Sequence, residues 1–333
     1  MHSVVSQTEI KMININETNK KHCCGCTACE FVCHKKCISM QTDNEGFKYP
    51  VVDKTKCVNC RLCEKVCPIL NKTHNVFPNT AYVVRNKNSE IVRSSTSGGA
   101  VTAFSKEIIN NGGIVFGGAF DGNFYVKHTY AETESELSKF RSSKYVQSDM
   151  GTTFTEVKQQ LDNGKFVMFT GTPCQVEGLQ NYLRKPYDNL FTIDFVCRAV
   201  PSPLVWEKYR EFMEKKFGSE ITYANFREKT YGYHSANLTL RFANGKKSIE
   251  NTNTDYMLKS FFKGICSRPS CYDCKFREPG RVSDLTVFDC WNITQYVNGL
   301  ADDDKGYTAV IIQSTKGAKL FEKAKHNLIV YPA

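Results

Sequence analysis

The sequence predicts an α+β chain in which a small cysteine-rich module precedes a larger α/β domain with a mixed or parallel sheet. Ten of the sixteen cysteines lie between residues 22 and 70. The polar segment 71–80 follows, contains Pro78 and is typical of a linker. Beyond it, short apolar runs alternate with amphipathic stretches, which is the pattern of βαβ units.

The length of 333 residues favours two domains. We divide the chain into a polar N-terminal arm (1–21), the cysteine-rich module (22–70), the linker (71–80) and the α/β domain (81–333). A content of 41% hydrophobic and 23% charged residues excludes a disordered or fibrous protein. The N-terminus lacks the pattern of a signal peptide, and no stretch approaches the roughly 18 apolar residues of a membrane span. We therefore expect a cytoplasmic protein.

Strands are predicted at the short apolar runs, and helices where apolar residues recur with a helical period. In chain order, we predict strands at 81–85, 114–120, 166–170, 190–196, 309–313 and 328–331, a β-rich stretch at 221–249, and helices at 98–110, 173–183 and 203–217. The last helix follows Ser202, starts at Pro203 and ends before Gly218, which are common boundary residues.

The cysteines of the N-terminal module repeat the spacing C-x2-C-x2-C-x3-C. The two copies are Cys23, Cys26, Cys29 and Cys33, and Cys57, Cys60, Cys63 and Cys67. Three close thiolates hold three corners of an iron–sulfur cubane, and the fourth cysteine completes the other cluster. We therefore expect Cys67 in the first cluster and Cys33 in the second. Zinc is disfavoured because it usually takes two separated cysteine pairs.

This module resembles a bacterial-type two-cluster 4Fe-4S ferredoxin, except that His34 stands where proline usually follows the first motif. Cys24 and Cys37 fall outside the repeated spacing. We interpret them as spectators rather than ligands.

Two loops of the α/β domain combine hydroxyl groups with glycines at a helix start. The loop 94–100, S-S-T-S-G-G-A, exposes backbone N–H groups that suit a phosphate, although an ordinary helix cap explains it equally well. In the loop 169–175, F-T-G-T-P-C-Q, Cys174 falls in the first helical turn, where the helix dipole favours a thiolate. The alternative is a buried structural cysteine.

Three further cysteines, Cys266, Cys271 and Cys274, lie close together, and Cys197 lies far upstream at the end of a predicted strand. Three near cysteines and one distant one suit another cubane. A zinc site fits the same residues.

Five motifs together resemble the coenzyme F-420 hydrogenase/dehydrogenase beta-subunit family, including its members with a fused ferredoxin module. They are S-T-S-G-G (95–99), S-S-K-Y-V-Q-S (142–148), F-T-G-T-P-C-Q-V (169–176), C-R-A-V-P-S-P (197–203) and R-P-S-C-Y-D-C-K-F (268–276). The resemblance covers most of the chain from Cys23 to Ile293.

The resemblance implies a flavin, FAD, bound in the α/β domain beside a third 4Fe-4S cluster. The flavin contacts that it implies are Ser97, Gly98, Gly99, Lys144, Gln147, Gly171 and Thr172. The ligands that it implies for the third cluster are Cys197, Cys266, Cys271 and Cys274. Cys174 would then stay free near the flavin, as a catalytic residue that steers substrate or tunes the site.

The function expected from this resemblance is an iron–sulfur flavoprotein oxidoreductase. It would move electrons between 4Fe-4S clusters and a flavin that exchanges hydride with a small substrate or coenzyme. The alternative is an electron-transfer subunit of a larger redox complex with no substrate of its own. In either case we expect a redox partner protein or a soluble electron donor.

The formal net charge of +10 would also suit a nucleic acid or an anionic lipid. However, this count treats every cysteine as neutral. A 4Fe-4S core held by four thiolates carries about −2, so three clusters would remove about six positive charges. We therefore predict no nucleic-acid partner. The lack of a long apolar stretch predicts no membrane span.

Overall fold

A computed structural model describes Ile15, residues 20–73, Phe77 and residues 80–332. The predicted N-terminal arm (1–21) lies outside these residues except for Ile15, Lys20 and Lys21. Residues 74–76, 78 and 79 of the predicted linker also lie outside them.

The N-terminal module consists of two short helices and one β-hairpin. Its helices are α1 (Ala28–Val32) and α2 (Leu62–Lys65), and its strands are β1 (Ile38–Thr42) and β2 (Lys48–Val52). The residue before each helix is left-handed, with φ of 68° at Thr27 and 59° at Arg61. These two residues occupy equivalent places in the repeated motif, so the duplicated sequence gives a duplicated local fold.

The larger domain is built on an eight-stranded mixed sheet with a three-stranded sheet beside it. Its strands are β3 (Thr80–Asn86), β4 (Ile114–Phe120), β5 (Val126–Ala131), β6 (Val167–Gly171), β7 (Leu190–Phe195), β8 (Ile221–Glu228), β9 (Asn237–Phe242), β10 (Lys247–Asn251), β11 (Leu285–Asp289), β12 (Thr308–Ile312) and β13 (Leu328–Pro332). The larger sheet has the order β13-β3-β12-β11-β7-β6-β4-β5. The central strands β11, β7, β6 and β4 are parallel to one another. The outer strands β12, β3, β13 and β5 each pair antiparallel with their neighbours.

Helices cover both faces of the eight-stranded sheet. The helices of this domain are α3 (Ser89–Ser94), α4 (Ala100–Asn110), α5 (Thr153–Asp162), α6 (Pro173–Leu183), α7 (Pro203–Phe217), α8 (Tyr256–Phe262), α9 (Ile293–Tyr296) and α10 (Thr315–Ala324). On one face, Val115 and Met168 pack with Phe104 of α4 and Phe321 of α10. On the other, α5 and α6 pack against alternate residues of the same strands. The α+β fold class with a ferredoxin-like segment is thereby confirmed.

The ferredoxin module shares a core with this second face. Cys26, Ala28 and Val66 of the module belong to the same buried cluster as Phe154 of α5 and Leu179 of α6. The two parts of the chain are therefore packed together through apolar contacts as well as joined by the chain.

The three-stranded antiparallel sheet β8–β10 forms a third core with α7 and α8. Trp206 of α7 is fully buried there, and its indole N–H donates to the Phe124 carbonyl at 2.7 Å. The predicted start of α7 is observed, because the Ser202 hydroxyl accepts from the Leu204 and Val205 N–H groups.

Candidate redox site

The cysteines of the ferredoxin module surround two cavities. The first cavity is lined by Cys23, Cys26, Cys29 and Cys67. The second has a volume of about 390 Å³ and is lined by Cys33, Cys57, Cys60 and Cys63. The fourth cysteine of each motif therefore faces the cavity of the other motif. This is the crossed arrangement that the spacing predicts, and each set suits one cubane.

Cys24 and Cys37, interpreted above as spectators, both lie against predicted ligands. The Cys37 Sγ lies 3.3 Å from the Cys33 Sγ, and the Cys37 N–H donates to that sulfur at 3.4 Å. Cys24 packs in one cluster with Cys26 and Cys174. Sequence spacing separates ligands from other cysteines, but it does not tell where the others pack.

Four thiols come together after the central parallel strands: Cys174, Cys197, Cys271 and Cys274. Burial raises the pKa of Cys197 well above its ordinary value, and the charges of the other three thiols add to this effect. Cys174 and Cys197 are close because β6 and β7 are neighbours, with Gly171 paired to Asp194. Residues that follow adjacent parallel strands meet at one edge of a sheet.

Cys266, which the resemblance places in this set, is not among the thiols that act on Cys197. Burial and its own backbone are what shift the pKa of Cys266. Its carbonyl accepts from the Ser202 N–H, and the next residue, Ser267, forms a bridge with Pro201. The backbone at Cys266 therefore anchors α7. The ligand set with Cys266 stays a prediction, and the position of Cys174 makes it a second candidate for the fourth ligand.

The expected low pKa of Cys174 is corrected. A hydrogen bond to Cys24, burial and the charge of Cys24 raise the pKa of Cys174 well above its ordinary value, although Thr172 and Arg268 oppose the rise. Burial and a neighbouring thiol outweigh the dipole of the helix start.

A chain of hydrogen bonds holds the loop that carries Cys174. Gln175 accepts from the Thr172 N–H at 3.0 Å, and its amide donates to the Ser148 hydroxyl at 3.0 Å. The Ser148 hydroxyl lies 2.9 Å from His128 Nδ1, and His128 Nε2 lies 3.0 Å from the Thr170 carbonyl. Burial lowers the pKa of His128 to about 4, so the ring is neutral near pH 7.

Sequence reasoning did not find this network. His128 falls on an edge strand, β5, that was not predicted. Gln175 could have been found, because a Gln three residues after the cap Thr172 completes a capping box.

The glycine loop proposed for flavin binding packs tightly against the sheet. The Thr308 hydroxyl lies 2.9 Å from both the Ser97 hydroxyl and the Gly98 nitrogen. A Cβ at Gly98 would lie 2.6 Å from the Val84 carbonyl oxygen, so glycine is required for this close approach. Gly99 precedes α4 with a φ of 76°. These glycines therefore have a structural role whether or not they also contact a ligand.

Lys144 lies near this loop, and its hydrogen-bond partners in the described part of the chain include no carboxylate. The adjacent residue, Ser143, is bonded to Thr96 of the glycine loop, with its N–H 2.7 Å from the Thr96 hydroxyl. The Lys144 ammonium donates to the carbonyls of Arg141 at 3.0 Å and Ser142 at 3.1 Å. Desolvation by burial lowers the pKa of Lys144 to about 7. An anionic group would be stabilised here.

Gln147, which the resemblance implies as a flavin contact, faces the ferredoxin module. Its amide nitrogen donates to the Cys24 carbonyl at 3.1 Å, and its amide oxygen accepts from Arg268 at 3.0 Å. Gly171 and Thr172 lie at the end of β6, beside Cys174. The structure thus divides the expected flavin contacts among three places.

Comparison with known proteins defines the class. Residues 22–70 match a 4Fe-4S dicluster domain. Together with the two cysteine-lined cavities, this match makes the chain an iron–sulfur redox protein. Residues 164–331 match the family described as the C terminus of the coenzyme F420 hydrogenase/dehydrogenase beta subunit. The chain belongs to that family.

No curated protein matches the chain. A chain in a xenon-derivatized structure of the F420-reducing NiFe hydrogenase complex from Methanosarcina barkeri is 19% identical, with a TM-score of 0.51. The match covers 78% of this chain and 82% of that chain, and it shows a shared fold. Over the residues that the structure describes, every helix is too short or too polar to cross a membrane.

Proposed function

We propose that the chain is an iron–sulfur flavoprotein oxidoreductase with three 4Fe-4S clusters and FAD. The two ferredoxin clusters would occupy the cavities described above, and the third would be held by Cys174, Cys197, Cys271 and Cys274. When bound, the clusters supply one-electron transfer, and the flavin exchanges single electrons for a hydride.

One observation supports a continuous path between these sites. Cys24 packs with Cys26 on the first cavity and with Cys174 in the four-thiol group. Helix α6 runs between the same two places, because Cys174 lies in its first turn and its Gly178 packs on Cys26. The residues would therefore hold the first and third clusters next to each other, with the second cluster farther out.

Lys144 supports the flavin assignment. Lys144 follows Ser143, which is hydrogen-bonded to Thr96 of the glycine loop, and the hydrogen-bond partners of the Lys144 ammonium among the described residues are carbonyls. An anionic part of the cofactor would satisfy it. We propose that Lys144 holds this anionic part and that the glycine loop positions the cofactor.

An electron partner would meet the second cavity, because Cys60 is exposed at its rim. The similar fold occurs in a chain of a hydrogenase complex, which favours partner subunits as the source or destination of electrons. It also keeps the second candidate function, an electron-transfer subunit with no substrate of its own. Turnover of a small substrate by the isolated chain with an artificial donor would exclude this candidate.

The cluster assignment is tested by a matched pair of variants, Cys174→Ala and Cys266→Ala, purified anaerobically. Iron, sulfide, zinc and flavin are measured on the same sample. We expect the natural chain to contain iron and sulfide for three clusters, Cys174→Ala to lose one cluster, and Cys266→Ala to keep all three. Loss of iron in Cys266→Ala alone would restore the ligand set that the resemblance implied. Zinc without sulfide at the third site would exclude a cluster there.

A further inference from the structure

The guanidinium of Arg268 is completely buried, with a residue exposure of 0%. Its Nε donates to the Cys23 carbonyl at 2.7 Å, one Nη to the Gln147 amide oxygen at 3.0 Å, and the other to the Lys48 carbonyl at 2.9 Å. All of these acceptors are neutral, and no carboxylate is among its hydrogen-bond partners in the described part of the chain. A buried charge without a counter-charge is strongly unfavourable, so this one requires compensation.

A cysteine sulfur that would become negative on binding a cluster lies beside this guanidinium. An Nη of Arg268 lies 3.6 Å from the Cys23 Sγ at the first cavity. The side chain comes from the loop that carries Cys271, and the Cys271 N–H donates to the Arg268 carbonyl at 2.9 Å. One cation therefore lies beside the first cavity, on a residue that is hydrogen-bonded through its backbone to Cys271 of the four-thiol group.

The surroundings hold the guanidinium in place. A Cβ on Gly25, whose φ is +70°, would lie 2.8 Å from both Cζ and Nη1 of Arg268. The ring of Tyr49 lies 4.3 Å and that of Phe47 5.3 Å from the Arg268 Cζ. Glycine is thus required at position 25, and the charge is fixed between the ferredoxin module and the α/β domain.

We infer that Arg268 is the shared counter-charge of the first and third clusters and raises the reduction potentials of both. This inference rests on the proposed function, because it requires clusters at Cys23 and at the four-thiol group. Reduction adds one electron to a cluster and breaks no bond, so a fixed positive charge nearby stabilises the reduced form. Net charge and hydrogen bonds to sulfur are known controls of cluster potential, and a guanidinium stays charged in proteins.

The test is a redox titration of the full-length holoprotein, followed by electron paramagnetic resonance, for Arg268→Gln. We expect the first and third clusters to become harder to reduce by tenfold or more, where tenfold corresponds to about 59 mV for one electron. The second cluster serves as an internal reference and should not shift. The variant Arg241→Gln is the matched control, because Arg241 is an exposed arginine on β9 that pairs with Glu228.

Two further variants separate charge from packing. Arg268→Lys keeps the charge and should shift the potentials less than Arg268→Gln does. Gln147→Glu places a carboxylate beside the intact guanidinium, so it should lower the two potentials without truncating Arg268. If Arg268→Gln fails to fold, the potentials of Gln147→Glu test the role of Arg268.

The outcomes separate this inference from the proposed function. If the natural chain lacks cluster signals, the proposed function itself fails. If it has three clusters, and both Gln147→Glu and a folded Arg268→Gln leave all potentials unchanged, only the role of Arg268 is overturned. Equal shifts in Arg268→Lys and Arg268→Gln would also overturn it, because the effect would then not depend on charge.

Discussion

The proposed contact of Lys144 with the cofactor predicts that flavin binding depends on pH. With its pKa lowered to about 7 by burial, the free protein loses the positive charge as the pH rises through 7. An anionic ligand binds the charged form, so affinity should be constant below about pH 7 and fall by up to tenfold per pH unit above it. Fluorescence titration of flavin-depleted protein with FAD between pH 6 and 9, a range of about one to two units around this pKa, measures the profile.

The variants Lys144→Met and Lys144→Arg complete this prediction. Lys144→Met should bind FAD more weakly and with no pH dependence from this group. Lys144→Arg retains the charge and should keep the affinity above pH 7, because a guanidinium does not titrate in this range. If Lys144→Met follows the pH profile of the natural chain, Lys144 does not hold the anionic part of the cofactor.

Among elements, helix α6 connects the ferredoxin module to the four-thiol group. A Cβ on Gly178 would lie 2.8 Å from the Cys26 Cβ and 2.9 Å from its sulfur. Gly178→Ala should therefore destabilise the chain by about 1–3 kcal/mol, as overpacking of a core does. It should also make the first cluster easier to lose. Anaerobic urea unfolding and iron content measure the two effects.

The control for this variant is Gly118→Ala. Gly118 lies in β4, and an added Cβ there meets nothing within 4 Å. We expect it to leave stability and iron content unchanged. Equal losses in both variants would show that the contact between α6 and Cys26 has no special role.

The elements with strong local signals were predictable from the sequence. The strand 114–120 and the helices 173–183 and 203–217 coincide with β4, α6 and α7. Each combines an apolar pattern with a recognisable boundary, such as Pro173 after the cap Thr172. Edge strand β5 and helix α5 were missed, because their mixed polar sequences fit a loop equally well.

For the third thiol group, the sequence did not show that Cys174 would lie next to Cys197. Cys266 is close in sequence to Cys271, so spacing favoured it over Cys174. The structure brings Cys174 to Cys197 because β6 pairs with β7. Strand order is a long-range property that spacing does not contain, and the order of these strands was the missing information.

For the whole molecule, the exposed second cavity predicts where electrons enter or leave. Cys60→Ser should remove one cluster's worth of iron and slow electron exchange with an external protein donor at least tenfold. Reduction from the flavin side should persist, because the first and third sites are intact. Iron analysis and stopped-flow reduction from each side measure this.

The control is Cys290→Ser. Cys290 is buried among Ile293, Tyr307 and Ala309 and belongs to none of the three thiol groups. The variant Cys290→Ser should keep its iron content and its rates of reduction from both sides. The prediction is contradicted if Cys60→Ser retains all of its iron, or if reduction by the protein donor and reduction from the flavin side slow equally. The second cavity would then not be the place where electrons enter or leave.

The packing of the ferredoxin module also determines how the molecule can work mechanically. Arg268, the ion pair of Lys48 with Asp149 at 2.7 Å, and the contact of Phe31 with Tyr182 fix the module to the α/β domain. A module held in this way cannot serve as a swinging arm that collects an electron and carries it inward. Electrons would instead pass between sites whose separations are fixed by packing. The rate of this internal electron transfer would then not depend on tether length or solvent viscosity.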